Sequence, residues 1–236
     1  MKFIQADVFT HRPFTGNPLA IVPDASGLSK DEMQAIAREM NLSETTFVLP
    51  PKDPKAQFHL RIFTPSTELP LAGHPVVGTF FILAQRGYLN LQEGKNRIYQ
   101  QCGAGILPVE VYSRQGKIDK VVMTQAEPRF GKVVWDKKGL AAAVGLSPDR
   151  VLPQELPAQV VSTGLPQLMV PALSRNDLAR IELDLGALGR ILGEAESDCF
   201  MIFTEETLHP ESTVHARMFA PALGVTEDPA TGSAAG

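Results

Sequence analysis

Apolar and polar residues mix along residues 2–9 in the manner of a strand, and the turn-rich run 11–18, with Gly16-Asn17-Pro18 at its end, predicts a loop. Residues 19–22 form a second short strand. Ser29-Lys-Asp-Glu32 is a capping box, and Met33, Ile36, Ala37 and Met40 recur at helical spacing. An amphipathic helix from Ser29 to about Met40 follows, ended by Asn41. Residues 45–49, closed by Pro50-Pro51, and residues 58–63 read as strands, which puts Glu44 at a helix-to-strand junction. After a glycine-rich turn, Gly73-His-Pro-Val-Val-Gly78, residues 79–84 are apolar on nearly every side. That pattern predicts a helix buried all round, stopped at Gly87. Strands are expected at 97–101, 106–112 and 118–124, with Arg114-Gln-Gly116 turning between the last two.

One phrase occurs twice. Arg61-Ile-Phe-Thr-Pro65 leads into a glycine-rich turn, and Arg217-Met-Phe-Ala-Pro221 leads into another. The spacing is too long for a solenoid and predicts two similar domains, 1–118 and 119–236, whose equivalent elements meet across a cleft. The second half replays the order loosely, with a strand at 121–126, a helix at 138–144, strands at 168–170 and 214–219, and the turn. Each half then has one helix wrapped by mostly antiparallel strands, an α+β architecture. Aligning Val48-Leu-Pro50 with Met169-Val-Pro171 sets apolar Leu165 opposite Glu44, so the duplication is chemically one-sided. If the halves are equivalent, the second, reaching Gly236 inside its turn, lacks its last third. The Pro-rich stretch 148–157 reads as a connection.

Composition narrows the function classes. The 236 residues are 44% apolar, ample for a core in each half. With 22 Lys and Arg against 26 Asp and Glu, scattered along the chain, nothing points to nucleic acid or an anionic membrane. Small molecules are the expected partners. No apolar stretch approaches a membrane span and the N-terminus lacks a secretory core, so the cytoplasm is expected. Cys102 and Cys199, far apart and without metal spacing, read as reduced structural thiols.

Two glycine-rich turns that open helices aim backbone N–H groups at an anion. Neither carries the Lys-Ser/Thr of a phosphate loop or the dinucleotide glycine spacing, so a carboxylate is the better guest. A single such turn is more often only a helix start, but two in equivalent positions favour a site. His74 lies in the first turn, Asp228 and Ser233 in the second. Alone, each has an ordinary reading as a helix cap. The remaining histidines show no H-x-x-x-H spacing, and no zinc hydrolase is supported.

Four motifs in order, Asn41-Leu-Ser-Glu-Thr-Thr-Phe47, Glu68-Leu-Pro-Leu-Ala-Gly-His-Pro75, Arg217-Met-Phe-Ala-Pro221 and Glu227 to Gly236, resemble the PhzF-like family, named for the phenazine-biosynthesis isomerase. The resemblance runs from Asp7 to the last residue. It implies the diaminopimelate epimerase-like fold, two pseudo-twofold-related domains with the site between them. It also implies that Glu44 is the acid/base and that His74, Asp228 and Ser233 line the site, with Asn17, Gly73, Thr231 and Gly232 binding substrate. The named enzyme isomerises trans-2,3-dihydro-3-hydroxyanthranilate without metal or organic cofactor, moving a proton from C3 to C1. One base suffices, as a one-sided repeat requires. Such a glutamate, with an ordinary pKa of about 4.3, would need burial to raise it toward neutrality. The N–H groups of Gly232 and Ser233 would hold the substrate carboxylate. The family is often dimeric, so a homodimer is expected. The related epimerases use two cysteines at the starts of the central helices, positions where this chain has none. A non-catalytic acid binder or inactive truncated relative is the alternative from another class. A hydrolase with Ser233 as nucleophile lacks the G-x-S-x-G elbow.

Overall fold

A computed structural model describes residues 1–153 and 156–235; the expected connection 148–157 falls partly, and the last residue of the second turn wholly, outside them. The chain forms two compact units. The first comprises Met1–Gln125 together with Ala230–Gly236, and the second Ala126–Pro229. The division therefore falls after Gln125 rather than after residue 118, and the last seven residues belong with the first unit.

The first unit is built on a sheet of strands β1 (Ile4–Val8), β2 (Asn17–Val22), β3 (Glu44–Leu49), β4 (Phe58–Phe63), β5 (Glu68–Leu69), β6 (Gly94–Cys102), β7 (Gly105–Arg114) and β8 (Lys117–Met123). Their order is β1-β2-β3-β4-β6-β7-β8, with β5 paired to β4. Helix α1 (Lys30–Met40) joins β2 to β3, which are parallel. Its capping box forms as expected: Ser29 Oγ accepts from the Glu32 amide at 3.2 Å, and Glu32 Oε2 accepts from the Ser29 amide at 2.8 Å. Asn41, left-handed at φ 50°, ends it. Met33 and Ala37 bury against Phe47 and Phe63 on one face of the sheet.

Helix α2 (Gly73–Gln85) occupies the other face. It touches β1, β2 and β3 and also β7 and β8, strands from both ends of the sheet order, so the sheet curls around it. A glycine is required at position 78, because a methyl group there would stand 2.5 Å from Val8 Cγ2 and 2.8 Å from Leu19 Cδ2. Buried Thr46 and Thr79 share a 2.8 Å hydrogen bond between strand and helix. The helix begins at Gly73 itself. The expected glycine-rich turn 73–78 is thus its first turn and a half, with glycine serving close packing rather than reversal.

The second unit's sheet runs β14-β13-β12-β11-β10-β9, from β9 (Arg129–Val134), β10 (Ala158–Ser162), β11 (Pro166–Pro171), β12 (Cys199–Thr204), β13 (His215–Ala220) and β14 (Val225–Asp228). Helices α3 (Lys137–Val144) and α5 (Leu185–Ala195) bury Leu140, Val144, Leu188 and Leu192 against Phe200, Ile202 and Phe219, and short α4 (Arg175–Ala179) precedes α5. The strand expected at 121–126 is β8 of the first unit.

The duplication is visible in strand pairing. In the first unit the parallel pair β2–β3 continues antiparallel into β4 and β5; in the second, parallel β11–β12 continues antiparallel into β13 and β14. Arg61 on β4 and Arg217 on β13 occupy the same place. Each Nε donates at 2.7 Å and each Nη2 at 2.8 Å to one glutamate, Glu68 or Glu227, and each guanidinium stacks 5.1 Å from a phenylalanine ring, Phe63 or Phe219. Pairing then fixes the register: Phe47 lies opposite Arg61 and Ile202 opposite Arg217, so Glu44 corresponds to Cys199. The Leu165 alignment is corrected, because β3 is matched by β12 and not by β11. The one-sidedness survives with a thiol in place of leucine.

Candidate active site

Glu44 is the first residue of β3, three positions after the left-handed end of α1. Strand alternation turns Thr45 and Phe47 toward α1, and Glu44 and Thr46 toward α2. His74 is the second residue of α2. Its Nε2 lies 3.3 Å from Glu44 Oε2, with the side chains only 3% and 11% exposed. A carboxylate and an imidazole in contact inside a fold can share and relay a proton.

The start of α2 supplies a second component. Its N-cap, Ala72, makes no side-chain cap bond, and its first turn carries no acidic residue. The partial positive charge of the helix end is therefore not offset by the helix's own side chains. Against this end lies the turn from the chain's last residues. A methyl group on Gly73 would stand 3.0 Å from the Ser233 amide nitrogen and 3.2 Å from the Gly232 carbonyl carbon. One on Gly232 would stand 2.9 Å from Phe9 Cζ and 3.5 Å from the His74 amide nitrogen. At Gly73 backbone meets backbone, whereas at Gly232 the close neighbour is the Phe9 ring.

Of the residues selected from the sequence, Glu44, His74, Gly73, Gly232 and Ser233 converge within the first unit. Thr231 opens the same turn and accepts from the Ala235 amide at 3.3 Å. Asn17, fully buried, starts β2 opposite Val8, next to the loop that carries Phe9. Asp228 ends β14 in the second unit and is buried there. Two contacts to the turn had no sequence signal. Phe9 lays its ring on Gly232, and Gln125 donates from Nε2 to the Gly232 carbonyl at 3.1 Å.

Among the described residues, no helix is long and apolar enough to cross a membrane. Comparison with known proteins bears on the same motifs. Residues 6–236 match the model of the phenazine biosynthesis-like protein family. An uncharacterized isomerase of Clostridium acetobutylicum is 35% identical over 98% of this chain and 76% of that protein. The trans-2,3-dihydro-3-hydroxyanthranilate isomerase of Pseudomonas aeruginosa is 35% identical over 100% of this chain and 77% of its own length. The crystal structure of a PhzF-family phenazine biosynthesis protein from Bacillus anthracis superposes with a TM-score of 0.87 at 33% identity, covering 100% of this chain and 78% of that one. A hydroxyproline epimerase from Agrobacterium vitis shares the fold at 12% identity, with a TM-score of 0.62 over 96% of this chain and 71% of its own. With the four motifs, the curled sheet around α2 and relatives named as isomerases all in agreement, the chain belongs to the phenazine biosynthesis-like family of isomerases.

Proposed function

We propose that this protein is a cofactor-independent isomerase that moves a proton between two carbons of a small carboxylated substrate, with Glu44 as its single acid and base. The observation that carries the reading is the buried Glu44–His74 contact at 3.3 Å beside an uncapped helix start. Glu44 takes a proton from one carbon; the resulting anion delocalises through the substrate's double bonds, and the same carboxylic acid returns the proton to another carbon. No electrons leave the substrate. His74 holds Glu44 in place and donates to whichever carboxylate form is present. The amide of Ser233 and the first N–H groups of α2 meet the substrate's negative charge, which grows as the proton departs.

The experiment follows trans-2,3-dihydro-3-hydroxyanthranilate by NMR in D2O with purified protein. Conversion to the keto isomer with deuterium at the receiving carbon, lost in Glu44→Gln, is the expected result. Unchanged turnover in Glu44→Gln would overturn the single-base mechanism. Tight binding without conversion would replace the isomerase reading by that of an acid binder.

A further inference from the structure

The turn at Thr231–Ser233 reaches the start of α2 only after the chain has passed through the whole second unit and returned at Ala230, which itself takes a left-handed φ of 52°. We infer that Phe9 and Gln125 form a clamp that sets this turn, and with it the Ser233 amide, at the start of α2; they are positioning residues.

The two contacts approach Gly232 through different groups. Gln125 Nε2 donates to its carbonyl at 3.1 Å, a bond between residues 107 apart in sequence. Gln125 is also the last residue of the first unit before the chain leaves it, so this bond ties the departing strand end to the returning turn. Phe9 Cζ covers its Cα, so closely that a methyl group there would stand 2.9 Å from the ring. Phe9 holds a left-handed φ of 63°, a genuine outlier for a bulky residue, while its side chain remains 51% exposed. Burial gain does not explain that conformation, whereas holding the ring over Gly232 does. The loop carrying Phe9 is itself braced. Asp7 Oδ2 accepts from the Phe14 amide at 2.8 Å, the Thr10 and Thr15 hydroxyls share a 2.6 Å bond, and Gly16 packs on the Val8 carbonyl.

The consequence for turnover rests on the isomerase reading; the clamp does not. The test replaces Gln125 by Met, Lys and Glu and measures amide hydrogen exchange at residues 231–235 alongside kcat and KM. Met fills the space without a donor, Lys restores a donor of similar reach, and Glu presents an acceptor to a carbonyl. Protection should fall roughly three- to tenfold in Met, recover in Lys and be lowest in Glu. A space-filling role would give the reverse order, with Met tolerated and Lys damaging, and would overturn the proposal. Phe9→Ala should raise exchange at the same amides; no change there would remove Phe9 from the clamp. If the isomerase reading holds, kcat should follow protection across the series, by up to about 100-fold. Absence of turnover in the unaltered protein would reject that reading alone, since the exchange order would still decide the clamp.

Discussion

The two units meet the same structural problem with the same brace and then part company at one residue. In both, an arginine on the strand after the parallel pair grips a glutamate two-handed and stacks on a phenylalanine, with distances that agree to 0.1 Å or better. That arrangement orders the strand end that leads toward a glycine-containing turn. At the head of the neighbouring strand, the first unit has Glu44, 3.3 Å from His74. The second has Cys199, fully buried, whose amide and carbonyl both bond the Ser197 hydroxyl at 3.3 and 3.0 Å. Shared scaffold and unshared chemistry imply that the brace serves the fold, while the proposed proton transfer rests on a residue the second unit does not repeat.

The sharpest way to break this comparison is to exchange the weight of the two strand heads. Glu44→Gln keeps shape and removes the base, so turnover should fall by about 10³-fold or more, within the range for loss of a general acid/base. Cys199→Ala should leave turnover within about twofold, its cost appearing as stability, about 1 kcal/mol for a small buried side chain. A large kinetic loss in Cys199→Ala, with the fold intact by circular dichroism, would show that the second strand head takes part in the chemistry.

Next in size are the two glycines of the first unit at which the last turn meets the start of α2. Gly73→Ala sets a methyl group 3.0 Å from the Ser233 nitrogen, and Gly232→Ala sets one 2.9 Å from the Phe9 ring. The neighbour at Gly73 is backbone and cannot swing aside; the one at Gly232 is an exposed ring that can. Gly73→Ala, where backbone must give by a few tenths of an ångström, should therefore lower kcat by about tenfold, and Gly232→Ala less. Steady-state kinetics on both variants decides it. Equal losses would mean that the ring is as immovable as the backbone.

These contrasts also mark what the sequence could reveal. The capping box at Ser29, the buried helix after Gly73 and the twin Arg-x-Phe phrases were legible because each is written in local residue types with a physical meaning. Glu44 and His74 were found by motif, and their contact was not; it depends on α2 covering the face of the sheet toward which β3 turns Glu44. The correspondence of Glu44 with Cys199 was misread because proline positions were used as landmarks, whereas register is set by the partner strand. Helix α5 went unread since Gly186, Gly189 and Gly193 weaken its helical signal although Leu188, Ile191 and Leu192 keep the spacing. Left-handed Phe9 had no signal at all: no residue type announces that a phenylalanine will adopt it.

The smallest expected effect separates the two braces themselves. Glu68 is 26% exposed and is also approached by Lys30 Nζ at 3.4 Å, whereas Glu227 is 43% exposed. Hydrogen bonding from Arg61, then its charge and that of Lys30, hold the Glu68 carboxyl below its ordinary value against the opposing effect of burial. A folded-state pKa that is depressed contributes stability above the unfolded value of about 4.3, lost as pH falls through the folded one. Glu68→Gln should therefore cost about 1–2 kcal/mol at pH 7, and Glu227→Gln, more exposed and better screened, about 0.5 kcal/mol. In urea denaturation below pH 4 the Glu68→Gln deficit should shrink, because the unaltered protein is losing the same charge. A deficit that stays constant down to pH 3 would mean that the amide disturbs packing, and the greater worth of the first brace would then have to come from its buried surroundings rather than from its charge.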